Sequence, residues 1–94
     1  MKAKRTIINN RIEYRKKGKW HRDGDKPAVV YPNGTMFWYK EGKLHRDGDK
    51  PAMMYANGKM FWCKEGKYHR DGDKPAMIWN DGTEWYKQDK RYTP

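Results

Sequence analysis

The hydrophobic positions of this chain come in short bursts, each cut off within a few residues by polar or turn-forming positions. Some bursts are aromatic-rich, such as "TMFWYK" (35–40) and "KMFWCK" (59–64). Others are mostly aliphatic, such as "AVVY" (28–31), "AMMY" (52–55) and "AMIW" (76–79). Each has the length of a strand, and aromatic and β-branched residues suit a pleated surface. Nowhere do apolar residues recur at helical spacing. The pattern predicts an all-β chain.

Turn residues punctuate it. Asn33-Gly34, Asn57-Gly58 and Asp81-Gly82 read as two-residue hairpin turns with positive φ at both positions. Glu41-Gly42-Lys43 and Glu65-Gly66-Lys67 give each unit a second turn. The whole arrangement recurs every 24 residues, as units 9–32, 33–56 and 57–80 with a shortened copy at 81–94, after a basic segment 1–8. A fixed period in this range means stacked copies of one supersecondary unit. The expectation is one repeat domain, 1–94, folded as an elongated single-layer antiparallel sheet of β-hairpins.

Alternation along the strands assigns faces. Met36/Trp38, Met60/Trp62 and Ile12/Tyr14 fall on one side and are expected to form the packed face. Phe37/Tyr39, Phe61/Cys63, Trp85/Lys87 and Glu13/Arg15 fall on the other. That face makes Phe37, Tyr39, Phe61 and Trp85 candidate partner-binding residues, since an exposed aromatic patch marks an interface. Self-association into a homodimer is the alternative use of the same rings.

Composition adjusts this picture. Of the 94 residues only 35% are hydrophobic and 36% are charged, a balance near that of disordered chains. Five Trp, seven Tyr and two Phe argue instead for a thin aromatic core. The one cysteine, Cys63, leaves no internal disulfide and suits a reducing compartment. The basic start "MKAKRTIINNRIEYRKK" leads into no apolar run, so neither an export signal nor a membrane span is expected. A cytoplasmic, intracellular location follows.

The net charge of +10 is unevenly placed. Residues 1–19 hold eight Lys/Arg against Glu13 alone, and residues 68–94 sum to zero. Arg5, Arg11, Arg15, Lys16, Lys17 and Lys19 are therefore the candidate contacts for an acidic protein or a nucleic acid.

The eight residues "HRDGDKPA" occur unchanged three times, from His21, His45 and His69. They look chemical, yet geometry argues for a joint. If each copy adds two strands, equivalent residues stand about 9–10 Å apart, too far to share a zinc ion whose ligands lie about 2 Å away. One "DGD" is too few oxygens for calcium. Identical copies place like groups at three points, whereas an active site gathers unlike groups at one. The expected structural joint comprises His21, Asp23 and Asp25, His45, Asp47 and Asp49, and His69, Asp71 and Asp73. In it Asp-Gly turns the chain, and Pro27, Pro51 and Pro75 direct it into the next strand. Arg and Asp of successive copies pair along the stack, and His bonds backbone left free at the bend. No cofactor, metal or catalytic residue is expected.

The frame "YPNG…WYKEGKLH" (Tyr31–His45) resembles the MORN repeat. Trp38 through Arg46 resembles still more the MORN-like "WYKNGKLHRxxGPA" units of small phage, bacterial and viral proteins. The resemblance implies stacked β-hairpins and a scaffold or interaction role, with binding or inhibition of a host protein natural for a viral product. The expected function is a non-enzymatic protein-interaction module or inhibitor. Nucleic-acid binding through the basic first unit and a structural homo-oligomer are the alternatives.

Overall fold

The computed structural model describes residues 2–94. Strands β1 (Lys4–Ile8) and β2 (Arg11–Lys16) form a hairpin, and β2 also pairs the short β3 (Lys19–Trp20). Then follow β4 (Val29–Val30), β5 (Met36–Phe37), β6 (Tyr39–Lys40) and β7 (Lys43–Leu44). The next copy repeats them as β8 (Met53–Met54), β9 (Met60–Phe61), β10 (Cys63–Lys64) and β11 (Lys67–Tyr68). The last strands are β12 (Met77–Trp79), β13 (Gly82–Lys87) and β14 (Lys90–Tyr92). The fold is all-β.

A ten-stranded antiparallel sheet runs in the order β1-β2-β4-β5-β8-β9-β12-β13-β14, with β3 beside β2. The pairs β6–β7 and β10–β11 stand apart as two-stranded sheets. The molecule is elongated, 40 × 26 × 18 Å. The basic segment expected at 1–8 begins with Met1, which lies outside the described residues; most of the rest is β1.

The break between β5 and β6, and between β9 and β10, falls on Trp38 and Trp62. There the strand swings out of the main sheet, and the terminal hairpins lean back over one face of it. Leu44, Tyr68 and Tyr86 on those hairpins pack against Ala52, Met53, Phe61, Cys63 and Met77. The core therefore lies on the face carrying Phe37 and Phe61, not on the face expected from alternation. A ladder of edge-to-face rings runs through it, Tyr31–Phe37–Tyr55–Phe61–Trp79, with centroids 5.4, 5.5, 5.5 and 4.9 Å apart. Each such contact adds roughly 0.5–1.5 kcal/mol to what burial supplies. Trp38 and Trp62 are buried too, on the opposite face.

The turns divide into two types. Both central residues take positive φ at Asn9-Asn10 (51° and 65°), Glu41-Gly42 (50° and 81°) and Glu65-Gly66 (51° and 80°). At Asn33-Gly34 and Asn57-Gly58 only the glycine does, at 95° in each. These are three-residue loops. Gly34 N–H donates to the Tyr31 carbonyl at 3.0 Å, and Thr35 N–H donates to Asn33 Oδ1 at 2.9 Å. Pro32 supplies the φ a type I turn needs before the glycine.

The final connection is one residue shorter. Trp79 pairs Gly82, so only Asn80 and Asp81 link β12 to β13. Because side chains alternate, a one-residue change exchanges faces. Glu84, not Trp85, occupies the place of Phe37 and Phe61 opposite Met77. One row across the sheet thus runs Thr6–Glu13–Val29–Phe37–Met53–Phe61–Met77–Glu84, its apolar stretch bounded by a carboxylate on each side.

Candidate functional site

The repeated loop is built as three like latches. His21 Nδ1 accepts the main-chain N–H of Glu41 at 3.0 Å, and its Nε2 lies 2.8 Å from Asp23 Oδ1. His45 treats Glu65 and Asp47 in the same way, as His69 does Gln88 and Asp71. A main-chain nitrogen only donates, so each Nδ1 is bare and each Nε2 carries the proton. The hydrogen bond from His45 holds Asp47 below its ordinary range, and His21 and His69 do likewise for Asp23 and Asp71.

The arginines beside His45 and His69 each lock the seam to the preceding copy. Among the described residues Arg22, beside His21, bonds only the Pro27 carbonyl and covers Tyr14. Arg46 Nε donates to Asp25 Oδ1 at 2.8 Å, its Nη1 donates to the Pro51 carbonyl at 3.1 Å, and its guanidinium lies 3.8 Å over the Trp38 ring. Lys50 Nζ donates to the other oxygen of Asp25 at 2.8 Å. Arg70, Lys74 and Asp49 repeat this over Trp62. The bonds from Arg46 and Lys50 bring Asp25 down to about 2, and those from Arg70 and Lys74 bring Asp49 to the same value. Asp73 meets no arginine; Lys87 and Tyr92 approach it at 3.5 and 3.3 Å. Pro27, Pro51 and Pro75 lead into Ala28, Ala52 and Ala76, each fully buried where strands crowd.

Between successive loops lie two grooves of about 330 and 320 Å³. His21, Asp23, Lys40, His45 and Asp47 line the first, with Trp38 as floor. The two histidines are engaged by Asp23 and Asp47 and by the main chain, whereas Lys40 enters no ion pair among the described residues. Among the described residues no three His, Cys, Asp or Glu side chains gather where they could hold a metal ion.

Phe37, Tyr39, Phe61 and Trp85 do not make an exposed patch. Phe61 is 6% exposed and central to the core, and Phe37 packs against it. Tyr39 tilts against Trp20 at 4.9 Å. Trp85 lies on the other face, half-buried, with its indole N–H donating to the Asp73 carbonyl at 3.0 Å. The inward-leaning hairpins and the short last turn account for all four positions.

The basic end is the exposed one. Glu13, fully buried, takes Arg11 Nε on Oε2 at 2.7 Å, with Arg15 Nη2 and Trp20 Nε1 on Oε1 at 2.9 and 3.2 Å. Burial pushes its pKa up, and these bonds outweigh burial to leave it lowered. Two of the six expected cations, Arg11 and Arg15, are thus occupied internally. Arg5, Lys16, Lys17 and Lys19 enter no ion pair among the described residues, nor does Lys4. Lys4, one of the eight basic residues of 1–19, joins them, and Thr6-Ile7-Ile8 extends the same strand, which composition alone does not mark. The signal was the turn Asn9-Asn10, which makes 4–8 a strand of the sheet. Ile7 and Ile8 are the exposed large hydrophobics, at 55% and 38%.

Comparison with protein-family models, with curated proteins and with solved structures finds no match to this chain. Among the described residues no helix is long and apolar enough to cross a membrane.

Proposed function

We propose that this protein is a non-enzymatic binding module whose N-terminal β1–β2–β3 segment docks on an acidic surface of another protein. The observation that carries this reading is the group of five unpaired cations, Lys4, Arg5, Lys16, Lys17 and Lys19, on one edge of the sheet. Elsewhere acids offset much of the charge: Asp25 and Asp49 each hold an Arg and a Lys in the joints. Although Lys43, Lys64, Lys67 and Lys90 are also unpaired among the described residues, residues 68–94 sum to zero where residues 1–19 sum to +7. Concentrated charge of one sign steers association and selects partners of the opposite sign. The MORN-like resemblance points the same way, toward an interaction role, and any inhibition follows from occupying that acidic surface.

A protein partner suits the site better than a nucleic acid. Base stacking needs free rings beside the cations. Here Tyr14 already lies under the Arg22 guanidinium at 3.8 Å, and Trp20 is engaged by Tyr39 and by Glu13.

The test compares two alanine variants of equal charge loss. One replaces Lys4, Arg5, Lys16 and Lys17; the other replaces Lys43, Lys64, Lys67 and Lys90, which are also exposed. Fluorescence titration against labelled poly-L-glutamate should show the first variant weakened roughly tenfold or more and the second little changed. Equal weakening would make the charge effect non-specific and defeat the reading. Tighter binding to a single-stranded oligonucleotide of matched charge would transfer it to nucleic acid.

A further inference from the structure

We infer that the outer edge of β1 receives an extended acidic segment of the partner as an added strand of the sheet. This rests on the proposed role of the basic segment and specifies how it is used. All five residues of β1 are exposed. The register shows which backbone groups are free. Tyr14 donates its N–H to Ala28 at 2.7 Å and accepts from His21 at 3.0 Å, both on the side away from β1. Its partner across the ladder, Arg5, therefore turns its own N–H and C=O away from β2, because the two residues form a non-hydrogen-bonded pair. Ile7, opposite Ile12, does the same. Lys4, Thr6 and Ile8 hold β2, while Arg5 and Ile7 present donors and acceptors to an open edge.

Side chains point to the same use. Ile7 ends an apolar row that runs Ile12–Val30–Met36–Met54–Met60–Ile78 across the sheet. It is the most exposed member because no strand stands beyond it among the described residues. A strand added there would cover Ile7 on one face and Ile8 on the other.

Charge decides what that strand is. Basic residues on an edge discourage pairing with like chains. A second copy would bring another segment with eight Lys/Arg and one acid against this one. An acidic chain with aliphatic residues meets Lys4 and Arg5 with opposite sign and still buries the isoleucines. Strand addition supplies affinity through the main chain and specificity through alternate side chains.

The test uses a labelled short peptide alternating Val and Glu, and the same peptide N-methylated at every second residue. Ile7→Pro removes an outward N–H and leaves the bonds of Lys4, Thr6 and Ile8 to β2 in place, whereas Ile7→Ala keeps that N–H. Ile7→Ala should bind the peptide within roughly threefold of the parent, and Ile7→Pro roughly tenfold or more weakly at an unchanged thermal midpoint. Against the unaltered protein, one of the two N-methylation registers should abolish binding, which holds even if Ile7→Pro fails to fold. If both N-methylated registers bind like the parent peptide, strand addition is wrong. In that case a Lys4/Arg5/Lys16/Lys17 alanine variant that has lost binding leaves the basic docking surface standing, and one that has not removes both.

Discussion

His45 Nδ1 reaches forward twenty residues to the main-chain N–H of Glu65, 3.0 Å away. A side chain of one copy thus holds the turn of the next, and the same bond spans His21 to Glu41 and His69 to Gln88. The repeated octet is a fastener between neighbours.

Replacing one of these imidazoles should loosen one seam. His45→Ala removes a hydrogen-bond acceptor and a donor together and should lower unfolding stability by about 1–3 kcal/mol in urea titration. In nitrogen NMR of the native protein all three rings should report the tautomer protonated at Nε2. A proton at Nδ1 on any of them would contradict the bond to the main chain.

Acid should open the other fastener. Asp25 and Asp49 sit at about 2 in the folded chain against an ordinary 3.8, because Arg46, Lys50, Arg70 and Lys74 hydrogen-bond their charged forms. A depressed carboxylate adds stability that is complete above 3.8 and disappears as pH falls toward about 2. Melting temperature should therefore drop between pH 4 and pH 2 by linkage, and Asp25→Asn with Asp49→Asn should flatten that drop. An identical pH profile in the double variant would refute the assignment.

Glu13 stands where Phe37 and Phe61 stand in later copies, and it gathers Arg11, Arg15 and Trp20. Glu13→Ala leaves those donors unanswered around a void and should cost about 1–3 kcal/mol. Glu13→Phe should cost less, since it refills the space with the residue used by its equivalents and the arginines can turn to water. Denaturant midpoints of the two variants decide the order.

Cys63 is buried at 4% exposure, and burial pushes its thiol to about 12, with Asp89 adding to the rise. The thiolate is the reactive form. Native protein should resist iodoacetamide at neutral pH and react promptly in denaturant. Rapid native alkylation would mean the β10–β11 hairpin opens.

The sheet was legible because the period of 24 and the turn residues are local facts. The choice of inner face was not. Met36-Phe37-Trp38-Tyr39 is apolar throughout, and such a run gives alternation nothing to distinguish. Only the swing of the strand at Trp38, a tertiary event, turns Phe37 inward. The short last turn could have been found: Trp85-Tyr86-Lys87 matches Trp38-Tyr39-Lys40 when the WYK triplets are aligned. Aligning on Asp81-Gly82 hid it, and so misplaced Trp85 and Glu84. The basic end was visible as charge, but its pairing of Arg11 and Arg15 with Glu13 was not, because nothing in a sequence says that a lone acid is buried.

Every fastener here joins neighbouring copies, the Arg–Asp pairs twenty-one residues apart and the His latches twenty, or nineteen across the shortened last turn. Excision of residues 33–56 would set Arg70 beside Asp25 and His21 beside the turn at Glu65, with Glu13 and Glu84 still bounding the apolar stretch. The molecule is in that sense modular in whole units of its own repeat: length can change by an entire copy without redesign, while a gain or loss of a few residues within one would mismatch every seam downstream.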